Sequence, residues 1–315
     1  MLIAGPNLTI DRTGALDELR PGRVLRFRTM AVTPGGKGLN VARAAKALGA
    51  PALLVGFVPG RIGAAAAAMI EAEDIVLRGV AASGELRSTS IILEAGGRTT
   101  VLNEPGPSLA PGDWEAYEAA IVAALPGQRV LVCSGSVPPG APADAYARLV
   151  ALAEAGGALG VVDTSGTALA TALAAFPDAV LPNLGEAEQL LGKACFEDVD
   201  ATADARPRAL AAAGALVARG ARAAVVTAAA AGAAMVDASR TLWLAAPAVT
   251  VRNPIGAGDA FAAGLAVALE RGADLPDAAR AGIAAGAAAV ERPLAGDLDP
   301  ARAAVLARVV ESEDA

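Results

Sequence analysis

The chain of 315 residues carries 26 Lys and Arg against 33 Asp and Glu, no His, and a formal net charge of −7. That balance leaves no basic field to hold a nucleic-acid backbone or an anionic membrane surface, so neither partner is expected, and any anionic ligand has to be caught by local donors. With 54% hydrophobic and 19% charged residues the chain is too apolar to be disordered, and residues 1–315 read as one large α/β domain.

The opening stretch, MLIAGPNLTIDRTG, has no basic start followed by a long apolar run and does not read as a signal peptide. No alanine-rich segment is apolar enough over about twenty residues to span a bilayer. A cytoplasmic protein is the expectation. Residues 8–32 and 88–106 show the alternation of β-strands, the second around the hairpin signal Glu94-Ala95-Gly96-Gly97. Together they read as a small β lid. Between them, 34-PGGKGLNVARAAKALG-49 places Gly35, Gly36 and Gly38 ahead of a helix carrying Leu39, Val41, Ala45 and Leu48.

Short apolar runs at 51–58, 129–135, 158–166, 178–183 and 222–228 alternate with alanine-rich helical stretches. This rhythm predicts βαβ crossovers and a mostly parallel sheet, whose ligands bind beyond the C-terminal strand ends. SGS at 134–136, DTSG at 163–166, PN at 182–183 and Thr227 stand there. Cys133 and Cys195 are too far apart in sequence to suggest a disulfide framework or a metal knuckle. Residues from about 295 to 315 read as a terminal helix ending in the acidic ESEDA.

The stretch 253-NPIGAGDAFAAGLAVAL-269 combines three small residues with one carboxylate. Gly256, Ala257 and Gly258 would let backbone N–H groups approach an anion closely, and the following helix would add the positive end of its dipole. Asp259 at that edge could accept a hydroxyl proton as the oxygen attacks a phosphoryl group. The same residues could equally form a tight turn with Asp259 as a helix cap. The first glycine cluster, which could itself be only a loop and cap, adds Lys37 and Asn40 as donors to a phosphate or a sugar hydroxyl. It lacks the glycine spacing of a P-loop, so any phosphoryl transfer here is of another kind.

Together, PGGKGLNVARAAKALG and NPIGAGDAFAAG resemble the two signatures of the PfkB (ribokinase-like) carbohydrate kinases. PNLTIDRT, LRST, NEPG, SGSVPPG, VVDTSG and PNLGE fall between them in the family's order. The likeness covers nearly the whole chain and is greatest to the 1-phosphofructokinase, tagatose-6-phosphate kinase and minor 6-phosphofructokinase group. It implies a three-layer α/β/α sandwich with a β lid, ATP and Mg²⁺ as cofactors, a sugar phosphate as substrate, and a homodimer that pairs its lids. It also implies Asp259 as base with Gly256, Ala257 and Gly258 as anion hole. Asp11, Gly35, Gly36 and Asn40 would hold sugar hydroxyls. Lys37, Arg87 and Ser134 would contact the phosphate already on the substrate, and Arg23 would reach it from a lid, the neighbour's included. Asn183, Thr227 and Gly232 would line the nucleotide site, and Glu186 would meet the metal through water.

Three departures stand out. Asn253-Pro254 replaces the usual Asp-Thr, which puts a monovalent-cation site relying on that carboxylate in doubt. Ala229 stands where the nucleotide loop usually has Gly, and Leu181 where a Lys usually precedes Pro-Asn. Two other readings compete with a sugar-phosphate kinase: a kinase for an unphosphorylated sugar or nucleoside, and a non-catalytic ligand sensor.

Overall fold

The structure, a computed structural model, describes residues 1–193 and 204–315; Cys195 lies outside the described residues. In chain order the elements begin with β1 (Leu2–Ala4), β2 (Thr9–Leu16), β3 (Thr29–Gly35), α1 (Lys37–Ala47), β4 (Leu53–Phe57), α2 (Gly60–Ala72) and β5 (Val76–Val80). There follow β6 (Ser88–Glu94), β7 (Thr99–Asn103), α3 (Asp113–Ala124), β8 (Val130–Ser134), α4 (Ala145–Ala155), β9 (Leu159–Asp163), α5 (Gly166–Ala172), β10 (Ala179–Val180) and α6 (Leu184–Leu190). The chain closes with α7 (Ala205–Ala218), β11 (Ala223–Thr227), β12 (Gly232–Asp237), β13 (Thr241–Ala245), α8 (Ala257–Glu270), α9 (Leu275–Val290), α10 (Pro300–Ala307) and β14 (Ser312–Asp314).

Ten strands form one sheet in the order β14-β13-β12-β11-β10-β9-β8-β1-β4-β5. Pairing is parallel from β5 to β11 and antiparallel from β11 to β14. Strand residues point alternately to the two faces. Val130 and Val132 of β8 join a core with α1, α2, α8, α9 and α10, whereas Leu131 and Cys133 join one with α3, α4, α5, α6 and α7. The mostly parallel sheet expected from the alternating runs, and the three-layer sandwich that the family resemblance implies, are therefore what forms. Alanine suits its tightest contact, between α8 and α9, where a Cβ on Gly264 would lie 2.7 Å from the Ala281 carbonyl oxygen. Cys133 is a buried free thiol. No helix among the described residues is long and apolar enough to cross a membrane.

The second sheet, β3-β2-β6-β7, comes from the two segments read as a lid. β2 pairs antiparallel with β3 and parallel with β6, and β6 and β7 form the expected hairpin, with Gly97 at φ 87 in its turn. Residues 17–28 are an exposed loop, and β3 extends to Gly35, so the lid runs directly into the glycine turn before α1. The reading of 295–315 as one helix needs correction. The helix stops at Ala307, and Ser312–Asp314 pairs with Leu242–Leu244 as an edge strand, its Glu313 bonded to Arg206 at 2.7 Å.

Candidate active site

Two strand ends and three helix starts deliver polar side chains to one end of the large sheet. β8 ends on Ser134 and β9 on Asp163, α1 begins with Lys37, α6 is capped by Asn183, and α8 carries Asp259 in its first turn. Ser134 Oγ donates to Asp163 Oδ2 at 3.1 Å. Lys37 Nζ lies 3.7 Å from Asp163 Oδ1 and 3.8 Å from Glu186 Oε1. The Asp163 carboxylate, ahead of Glu186 and Asp259, holds the Lys37 ammonium above its ordinary value despite burial, so it remains a cation.

Asp259 is 6% exposed and does not cap its helix: Gly256, at φ 86, holds the N-cap position, and Asp259 Oδ2 accepts from Asn40 Nδ2 at 2.8 Å. Desolvation, with help from the neighbouring Asp163 charge, pushes its carboxyl up to about 7; Lys37 and the Asn40 hydrogen bond oppose that rise. The first N–H groups of a helix lack partners within it. An added Cβ on Gly258 would meet nothing within 4 Å, so space is open beside it, whereas the Ala257 N–H already donates to Pro254 O at 3.3 Å.

Two cavities flank this centre. A space of about 520 Å³ is lined by Asn7, Lys37, Arg87, Glu104, Ser134 and Glu186. Another of about 1090 Å³ lies between the lid and the loops around 253 and 295, with Asp11, Asn40, Arg43 and Asn253 in its walls. Gly35 sits so close to Asp11 that a Cβ would be 2.1 Å from Oδ2, which explains glycine there. Gly36 is at φ 110 and precedes Lys37 as the N-cap residue of α1. Burial raises the Asp11 carboxyl, against the pull of Arg87, Arg43 and a hydrogen bond from Thr89.

The remaining candidates are less uniform. Arg87 donates to the backbone carbonyls of Asn7, Leu8 and Glu104 at 3.0–3.3 Å. With five N–H groups, three of them so engaged, it keeps one on each terminal nitrogen for the cavity. Asn183 and Glu186 form a reciprocal capping box: Asn183 Oδ1 accepts from Glu186 N at 2.8 Å, and Glu186 Oε2 from Asn183 N at 3.0 Å. Glu186 is thus no free surface residue. Asn183 also pairs with Thr227 across the sheet end. Gly232, at φ 132, passes so near β13 that a Cβ would lie 2.1 Å from the Leu244 carbonyl oxygen. Ala229, where a glycine was expected, sits at φ 43, in a region alanine rarely enters. Asn253 Oδ1 accepts from Ile255 N and its Nδ2 donates to Pro293 O, both at 3.0 Å, so the amide ties two loops together. Arg23 is exposed in the 17–28 loop and lines neither cavity.

Three contributors escaped the residue-by-residue reading. Asp163 was given no role, although its place in DTSG at a C-terminal strand end was a signal. Arg43 had a signal too, since it stands one turn beyond Asn40 on the same helix face. Asn7, whose Nδ2 donates to Ser136 Oγ at 2.9 Å and Pro105 O at 3.2 Å, had only its place in PNLTIDRT as a signal.

A family model described as pfkB family carbohydrate kinase matches residues 7–302. The chain is 34% identical over 268 residues to a 1-phosphofructokinase of Xanthomonas campestris pv. campestris, covering 84% of this chain and 82% of that one. Identity to a 1-phosphofructokinase of Rhodobacter capsulatus is 33% over 306 residues, 96% of this chain and 94% of the relative. Among solved structures, phosphofructokinase-2 from Escherichia coli in complex with fructose-6-phosphate matches with a TM-score of 0.85 at 28% identity, covering 98% of this chain and 99% of that one. With the family's match running across almost the whole chain and both signatures meeting at one end of the sheet, this protein belongs to the pfkB family of carbohydrate kinases.

Proposed function

We propose that this kinase transfers the γ-phosphoryl group of ATP to a hydroxyl of a sugar monophosphate of the fructose 1-phosphate, tagatose 6-phosphate or fructose 6-phosphate type. The observation that carries the proposal is Asp259: a buried carboxyl with a pKa near 7, beside an open helix start and hydrogen-bonded to Asn40. A carboxylate so poised takes up a hydroxyl proton near neutral pH, while the Gly256 and Gly258 amides and the α8 dipole face the charge on the transferring group; the Ala257 N–H is already given to Pro254 O. The expected proton path runs from the attacking hydroxyl to Asp259.

In this reading Asp11, Asn40 and the Gly35-Gly36 backbone orient the sugar, and Lys37, Ser134 and the two free N–H groups of Arg87 face its phosphate. Asn183, Thr227 and Gly232 line the nucleotide side. Among the described residues no three acidic, His or Cys side chains gather as a metal cage. One Glu186 oxygen is already in the capping box. That donor set fits a magnesium ion carried in on the ATP phosphates and met by Glu186 through water, where it would neutralise phosphate charge. Asn253 offers no carboxylate to a monovalent cation, and no step is assigned to one.

The small sheet then acts as a lid that keeps water from the transfer. Val24, Met30, Val32 and Leu102 are between 43% and 87% exposed on it or on its loop. An apolar surface of that kind suits a second copy of the chain, so a lid-paired homodimer is part of the proposal, with Arg23 reaching the partner's site. One observation favours the kinase for an unphosphorylated sugar: three N–H groups of Arg87 are already occupied. The discriminating experiment is an ADP-release assay across sugar phosphates and their unphosphorylated parents.

A further inference from the structure

Asn40 can help Asp259 only if its amide nitrogen, not its oxygen, faces the carboxylate. Nothing in a free asparagine side chain enforces that choice. On the other side of the amide, Asn40 Oδ1 accepts from Arg43 Nη1 at 3.1 Å. A guanidinium has donors only, so the atom facing it must be the oxygen, and the nitrogen is thereby turned to Asp259. Arg43 is itself held in place: Nε and Nη2 each donate to Glu73 at 2.6 Å, and Nη2 also donates to the Pro34 carbonyl at 2.9 Å. The loop at Gly296 seats on the same side chain, leaving a Cβ there only 3.1 Å from Arg43 Cβ and Cδ.

We infer that Arg43 is a positioning residue for catalysis: through Asn40 it fixes the hydrogen bond that Asp259 receives, and through Pro34 it holds the glycine turn opposite. The chain of contacts Glu73–Arg43–Asn40–Asp259 links the end of α2 to the first turn of α8. This inference rests on Asp259 being the base. The other charges facing Asp259 are Asp163 from β9, Lys37 from α1 and Glu186 from α6. None of them is paired with Arg43, so its removal reaches Asp259 through Asn40; Arg43 also lowers the Asp11 carboxyl, and a shift carried by Asp11 instead would persist in the Asn40→Ala background.

The sign follows. A donated N–H favours the charged carboxylate, and an amide free to turn its oxygen inward favours the protonated form. Arg43→Gln should therefore move the acid limb of kcat/KM upward by about one pH unit, the size of one lost hydrogen bond to a charge, and lower kcat at pH 7 about fivefold, while KM for ATP stays within about twofold. Asn40→Ala should move the limb in the same direction, and the Arg43→Gln, Asn40→Ala double variant no further than Asn40→Ala alone. Glu73→Gln, which keeps Arg43 but loosens it, should show a smaller shift and is the fallback should Arg43→Gln fold poorly. An Arg43→Gln enzyme, or with it Glu73→Gln, that is slower with an unmoved limb overturns the inference, as does an equal Arg43→Gln shift in the Asn40→Ala background. Asp259→Asn is run alongside: full activity in that variant removes the base itself, whereas an inactive Asp259→Asn with an unmoved Arg43→Gln limb removes only the role of Arg43.

Discussion

Asp259 is a carboxyl that the fold buries and desolvates, and as the proposed base it makes two opposite predictions. Replacing it with Asn preserves shape and the bond to Asn40 but removes the proton acceptor, so kcat should fall about 10²–10⁴-fold with ATP binding retained; turnover near that of the native enzyme would return Asp259 to a structural part. In the native enzyme kcat/KM should drop about tenfold per unit as pH falls below about 7, where the carboxyl is protonated. Stability should move the other way. A carboxyl whose folded pKa is raised contributes stability that is fully present below its unfolded pKa and lost as pH rises through the folded one, here about 7. Asp259→Asn should therefore melt higher than the native chain at pH 8, with the gain shrinking toward pH 5, and a pH-independent difference in Tm would contradict the burial argument. Arg87 makes a separate test. Its two free N–H groups lead us to expect that Arg87→Ala raises KM for a sugar phosphate at least tenfold more than for the unphosphorylated parent, and equal effects would favour the kinase for an unphosphorylated sugar.

At the scale of the element, the helix starts bring the candidate residues together, and α6 shows how a proposed nucleotide and metal pair can share residues with a stability device. Asn183→Ala removes one half of its capping box, the bond from Glu186 N, and should cost about 1 kcal/mol in denaturant unfolding, while the Asn183 N–H keeps its bond to Glu186 Oε2; no change in stability would mean the box is not formed in solution. The elements were largely legible beforehand because periodicity reports burial directly. The strands at 53–57, 130–134, 159–163 and 223–227 fall inside the apolar runs, and the hairpin turn sits at the predicted Gly97. What was not legible was set by distant partners. Ser312–Asp314 is acidic and short, and becomes a strand only because the β13 edge offers backbone groups and Arg206 offers a charge. Asp163 acquires its place from Ser134, 29 residues away, and Asn40, which Arg43 holds, acquires its place from Asp259, 219 residues away. The bond that Asp259 receives likewise depends on where Asn40 lies, which no local pattern states.

Across the whole molecule, two glycine turns far apart in sequence close on one end of a parallel sheet while a four-stranded sheet stands over them. The lid's exposed Val24, Met30, Val32 and Leu102 should be covered in a dimer. Sedimentation at assay concentration is expected to show two chains, and Arg23→Ala should lose activity that returns in part when it is mixed with Asp259→Asn, because one site of the hybrid then has an intact base and an intact partner arginine. A monomeric active enzyme would leave the lid to close on its own chain. The central claim is that the site phosphorylates a sugar that already bears a phosphate, and the most direct measurement is ATP-dependent ADP release with Mg²⁺ against fructose 1-phosphate, fructose 6-phosphate, tagatose 6-phosphate, free fructose, free tagatose and a nucleoside. The account predicts turnover with at least one sugar phosphate at a kcat/KM far above that of any unphosphorylated acceptor, and greater turnover with a free sugar or nucleoside, or none with any acceptor, would contradict it.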